Sequence, residues 1–199
     1  MGLITDVWDT TVMYKGRWYR TRAAYDIVLA TQKLYKDEEL SDYDKTTQAL
    51  KMLLCRPFLV KMMVPAYRIG LLEEIFNQQI RTEPHKQAPA AQTRTVDFEL
   101  DGDFIYAAFM QDYGIDLIEQ QGKLHWKKFL ALFKGLSDDT RIKQIMQIRS
   151  MEEPKPTRYN QEQIQKIREL KAFYALPVRD GAGSCELDSL FSALERLAE

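Results

Sequence analysis

The chain has 199 residues, 45% of them apolar, with 28 basic against 29 acidic side chains and a net charge of −1. That composition can bury a core in one domain of moderate size, or a domain with appendages, and its charge balance excludes a bulk field drawing the chain to nucleic acid or an anionic membrane. The only cysteines, Cys55 and Cys185, are too few for a disulfide framework, and the most apolar run, FLVKMMVPAY, is too short and too interrupted to span a bilayer, so a soluble cytoplasmic protein with reduced thiols is expected.

The first local signal is VMYKGRWYRTR. Val12, Tyr14, Trp18 and Tyr19 favour strands and Lys15-Gly16 supplies a turn, which predicts a β-hairpin at about residues 10–21. An isolated hairpin is marginal, so it must lean on the helices after it. In RAAYDIVLATQKLYKD, Tyr25, Val28 and Leu29 share a helical face, with Leu34 continuing it. SDYD offers Ser41 and Asp44 as a capping box for a helix to about Cys55, with Leu50, Leu53 and Leu54 inward and Pro57 as its stop. A third helix follows Pro65, with Ile69, Leu72, Ile75, Phe76 and Ile80 as its stripe.

RTEPHKQAPAAQTRT then breaks the pattern. Two prolines and small or polar filler predict a mobile linker at about 81–95. VDFELDGD reads as a short extended piece, with Asp101 or Asp103 able to cap the next helix. That helix carries Ile105, Ala108 and Phe109 on one side, with Phe104 beside them, and Gly114 stops it. In LHWKKFLALFKGL, Trp126, Phe129, Leu130 and Phe133 fall at i, i+3, i+4 and i+7, a complete amphipathic template. Ser137 of SDDT is the expected N-cap of a helix facing inward with Ile142, Ile145 and Met146. Asn160 and Gln163 open one bearing Ile164, Ile167, Phe173 and Tyr174, and Ser184 caps a final short helix, CELDSLFSALERL. The predicted fold is therefore mainly α, a multi-helix domain with an N-terminal β-hairpin. Its expected divisions are 1–80 for the hairpin and first helices, 81–96 for the linker, 97–178 for a helical core and 179–199 for the C-terminal helix.

No catalytic, cofactor-binding or metal-binding residue is assigned, and no enzyme activity is expected. His125 lacks a nucleophile and an orienting group at readable spacing, and the other histidine, His85, sits in the linker. Cys55 and Cys185 stand in no CxxC or similar metal spacing. His125 reads as a boundary residue bonded locally while Trp126 fills the core. GAGS at 181–184 lacks the lysine of a phosphate loop and reads as a turn. DGD at 101–103 lacks the further ligands of a calcium loop. The aromatic and basic YKGRWYRTR can bind nucleic acid, but a hairpin with one packed face and one solvated face is the better account of it.

Three blocks carry a resemblance. Asp101 with Ile105 to Phe109 and Tyr113 to Leu117 forms the first, Leu124 to Trp126 with Phe129 and Ala131–Leu132 the second, and Ile148 to Met151 the third. Together they resemble the bacteriophage gene product 15 family over about residues 20–177, with Tyr174 to Pro177 as a later matching element. Lys127 departs from it, standing where many members have a second tryptophan. The family is encoded in the tail module of long-tailed phages of Gram-positive hosts, just before the tape-measure gene. The resemblance implies a tail assembly chaperone that binds tape-measure and tail-tube proteins in the host cytoplasm. Its alternatives are a minor structural tail or connector protein and, third, a nucleic-acid-binding module. No cofactor and no catalytic residue come with it.

Overall fold

The chain folds as a mainly helical protein with an N-terminal antiparallel hairpin. The computed structural model describes residues 10–81, 95–156 and 158–177. They group into two compact units, one of residues 10–81 with 118–132, the other of residues 95–117 with 133–177. The expected linker at 81–95 and the final helix fall almost wholly outside the described residues.

In the first unit, strands β1 (Thr11–Tyr14) and β2 (Arg17–Arg20) pair with Val12 opposite Tyr19 and Met13 opposite Trp18. Lys15 and Gly16 both have positive φ, 46° and 76°, as a two-residue turn matching the strand twist demands. Val12 and Tyr19 are buried, whereas Met13 and Trp18 are exposed. A Cβ at Gly70 would overlap the Tyr14 hydroxyl, so glycine is what admits this ring against the helix beneath.

Helix α1 (Tyr25–Lys36) buries Tyr25, Val28, Thr31 and Gln32, while Leu29 and Leu34 are only half-buried. The inward face is therefore more polar than the spacing of its leucines suggests. Thr31 hides its hydroxyl by donating to the Ile27 carbonyl at 2.8 Å. Gln32 is buried with neither amide atom bonded among the described residues. An unsatisfied buried amide costs about 1–3 kcal/mol. Gln32→Leu is accordingly expected to raise unfolding free energy in urea by about 1–2 kcal/mol; a loss would mean that a bound water or partner satisfies the amide.

Helix α2 (Asp42–Leu53) starts as expected. Ser41 Oγ accepts from the Asp44 amide at 3.2 Å and donates to its carboxylate at 2.6 Å, and Leu50, Leu53 and Leu54 are buried. A 3-10 helix, Pro57–Met62, follows. Helix α3 (Pro65–Ile75) then widens into a π-helical turn, Phe76–Ile80, closed by the Arg81 amide on the Phe76 carbonyl at 2.7 Å. The expected stripe is buried except for the half-buried Ile69. The wider turn also brings Gln79 inside, which a 3.6-residue period does not anticipate.

In the second unit, residues 97–101 form a turn instead of the expected extended piece. Asp97 Oδ1 accepts from the Glu99 and Leu100 amides at 2.8 and 3.1 Å. Helix α4 (Gly102–Tyr113) buries Ile105, Ala108 and Phe109, and Gly114 ends it at φ 63°. Asp101 occupies the N-cap position, but its side chain makes no cap bond because it is held by Arg149.

Helix α5 (Trp126–Lys134) buries Trp126, Phe129 and Phe133, with Leu130 half-buried. Helix α6 (Arg141–Ser150) is capped at Thr140, not at Ser137. Ser137 is taken elsewhere: its amide and hydroxyl both donate to the Asp112 carboxylate, at 2.7 and 3.0 Å. Ile142 and Ile145 are buried and Met146 half-buried. Helix α7 (Gln161–Phe173) buries only Ile164, and Phe173 is 78% exposed.

Candidate functional site

The pair His125–Trp126 is the first place to look for chemistry. Backbone bonds frame it on both sides. The Trp126 amide donates to the Ala23 carbonyl at 2.8 Å and the Tyr25 amide to the Leu124 carbonyl at 2.9 Å. His125 is thereby paired with Ala24 in an isolated antiparallel bridge. Its Nδ1 accepts from the Lys127 amide at 3.2 Å. Nε2 then carries the proton and donates to Gln79 Oε1, also at 3.2 Å. The π-helical turn is what delivers Gln79 to this ring.

Burial, and then the charges of Lys127 and Lys128, push His125 down to about 4. The ring is neutral at pH 7, with both nitrogens engaged by structural partners. It joins chain segments through Ala24 and Gln79. Trp126 lies beneath, stacked on Phe129, which stacks in turn on Tyr25 with centroids 4.9 Å apart.

The depressed His125 has a consequence for stability. Below its ordinary pKa of about 6.5 the unfolded chain takes up a proton that the native ring refuses. The contribution is complete above pH about 6.5 and is lost as pH falls toward 4. Discounted for the ring's partial exposure, the loss amounts to about 1–2 kcal/mol. His125→Asn is expected to flatten the fall of stability between pH 6.5 and 4 relative to wild type, measured by denaturant titration; parallel curves would contradict it.

The remaining sequence candidates do not assemble among the described residues. The Cys55 thiol, half-buried, points at the Thr21 carbonyl at 3.7 Å. His85, Cys185 and GAGS lie outside the described residues. Among the described residues no group of three or more His, Cys, Asp or Glu is placed to hold a metal ion, and no helix is long and apolar enough to cross a membrane.

A buried ion pair is the strongest polar feature of the second unit. Arg149 grips Asp101 with two bonds, Nη1 to Oδ2 at 2.6 Å and Nη2 to Oδ1 at 2.8 Å. The same guanidinium donates to the Thr95 carbonyl at 3.0 Å and the Tyr174 carbonyl at 2.7 Å. Asp101 Oδ2 also accepts from the Asp97 amide at 2.9 Å. Every one of these partners is structural, so the pair ties segments together and leaves no group available to a substrate. Spacing could not reveal it, because its partners stand 48 positions apart.

The surface is more distinctive than the interior. In the first unit Met13, Trp18, Phe58, Met62 and Val64 are all exposed, Trp18 by 66% and Met62 by 82%. A cleft of about 420 Å³ lies between β2 and the start of the 3-10 helix, lined by Trp18, Tyr19, Arg20, Leu54, Cys55, Arg56 and Leu59 among others. Large exposed apolar groups beside arginines are the ordinary dress of a protein-binding surface.

The profile for bacteriophage Gp15 protein matches residues 4–176. The chain belongs to that family. No curated protein and no solved structure matches it. Several residues that carry the resemblance to the Gp15 family are structural, while Tyr113 and Met151 are exposed. Asp101 and Arg149 are the ion pair, Trp126 is core, and Asp116 accepts from Tyr106 at 3.2 Å. The candidate binding surface lies in the hairpin and the 3-10 segment, also within the matched residues 4–176.

Proposed function

We propose that this protein is a phage tail morphogenesis factor, and specifically a tail assembly chaperone. In this reading it binds tape-measure protein, tail-tube protein or both in the host cytoplasm, and leaves before the virion is complete. The observation that carries the proposal is membership of the Gp15 family over residues 4–176. One feature supports a binding role: large apolar side chains stand exposed on the first unit.

Expression of the tape-measure protein with and without this chain tests the reading. With it, the tape measure should stay soluble and run together with this chain on sizing, and purified virions should lack the chain by mass spectrometry. Finding it stoichiometrically in virions would replace the chaperone by a minor tail or connector protein. A salt-dependent shift of DNA, with no tail-protein complex, would favour the nucleic-acid reading instead.

A further inference from the structure

The chain's near-neutral total hides a segregated distribution. Residues 10–25 and 45–72 contain no aspartate or glutamate, and residues 95–122 contain no lysine, arginine or histidine. Both kinds of run leave apolar groups exposed on folding. On the first unit, Trp18 and Arg20 share the outer side of β2, with Met13 opposite Trp18 on β1. Alternate residues of a strand point to one side, and the buried Tyr19 marks the inner one. Trp18, Arg20 and Arg56 line the same cleft, so the outer side of the hairpin continues into the start of the 3-10 helix, where Phe58, Lys61 and Met62 are exposed. Arg20, Arg56 and Lys61 have no ion-pair partner among the described residues. This face is apolar and cationic.

The second unit carries its counterpart on α4. Ile105, Ala108 and Phe109 take the buried side of that helix. Phe104, Ala107, Met110 and Tyr113 recur every third residue and are all exposed, an apolar row along the solvent side, with the exposed Leu100 before it. The charged residues of this run are all acidic: Glu99 and Asp103 are exposed at its start, and Asp112 and Asp116 follow, half-buried. Each copy of the chain therefore bears one apolar cationic face and one apolar acidic face. We propose that the cationic hairpin face of one copy docks on the acidic α4 face of another. Opposite potentials steer and register such a contact, and the apolar groups supply area to bury. The two faces differ, so the contact is heterologous, and association continues past the dimer unless it closes a ring. It covers the surface offered to tail proteins until one of them displaces the neighbouring copy. Self-association itself needs no tail protein, so its failure and the failure of the tail-assembly reading are separate results.

Sedimentation equilibrium of the purified full chain tests this. At low salt the mean mass should rise above the monomer as concentration increases. Raising ionic strength from about 0.01 M to about 1 M shortens the screening length from about 30 Å to about 3 Å and should weaken the association. Arg20→Glu with Arg56→Glu turns the hairpin face acidic, and Glu99→Lys with Asp103→Lys turns the α4 face basic. Each double variant alone should associate at least about tenfold more weakly, because like charges then meet. Mixed one to one, the two should associate again, since each reversed face finds its complement on the other variant. A misfolded variant gains nothing from mixing, so this recovery separates a lost contact from a lost fold. A wild-type chain that stays monomeric at every concentration at low salt overturns the proposal. So does association that either reversal leaves intact, and so does a mixture that fails to associate.

Discussion

Trp126→Ala is expected to destabilise the protein by about 3–5 kcal/mol. Trp126 is wholly buried, the first residue of α5, and stacked on Phe129. Its removal opens a large cavity beneath the His125 bridge, whose neighbours are backbone-bonded segments that cannot collapse into the space. Thermal unfolding measures the effect, and Trp126→Phe should recover much of the loss by refilling part of the volume. An unchanged melting temperature for Trp126→Ala would make this tryptophan a surface anchor and would undo the packing account of the LHW motif.

Arg149→Met is expected to cost about 3–5 kcal/mol, because it strands a buried carboxylate. The side chains of Arg149 and Asp101 are 9% and 3% exposed, so water cannot replace the guanidinium. The double variant Arg149→Met, Asp101→Leu should recover part of that loss, since no charge is then left buried. It will not recover all of it, because the bonds from Arg149 to Thr95 and Tyr174 are gone as well. Denaturant titration of the two single variants and the double gives the coupling. Additive effects would show that the two groups act independently and that the ion pair is not the clasp of the second unit.

Periodicity and local turn chemistry make much of the fold legible in the sequence. The Lys15-Gly16 turn, the Ser41 cap, the Gly114 stop and the α5 stripe each depend on residues within one or two helical turns of one another. The misses occur where a distant partner displaces the local one. Asp101 and Ser137 look like N-caps, but Arg149 claims the first and Asp112 the second. The inward turn of Gln79 depends on a π-helical register that no hydrophobic period announces. The His125 reading needs only the absence of a nucleophile at usable spacing, and its neutral, doubly bonded ring follows from burial. The cationic cleft is half visible. YKGRWYRTR announces its charge, but the run around Arg56 joins it only through folding.

Function is expected to reside in the exposed apolar surface of the first unit. Co-purification of the tape-measure protein with a Trp18→Ser, Phe58→Ser, Met62→Ser variant tests this most directly. All three side chains are more than half exposed, so the variant should keep the wild-type melting temperature. The expected result is a folded protein that no longer retains the tape measure. A folded variant that captures it as well as wild type would contradict the claim.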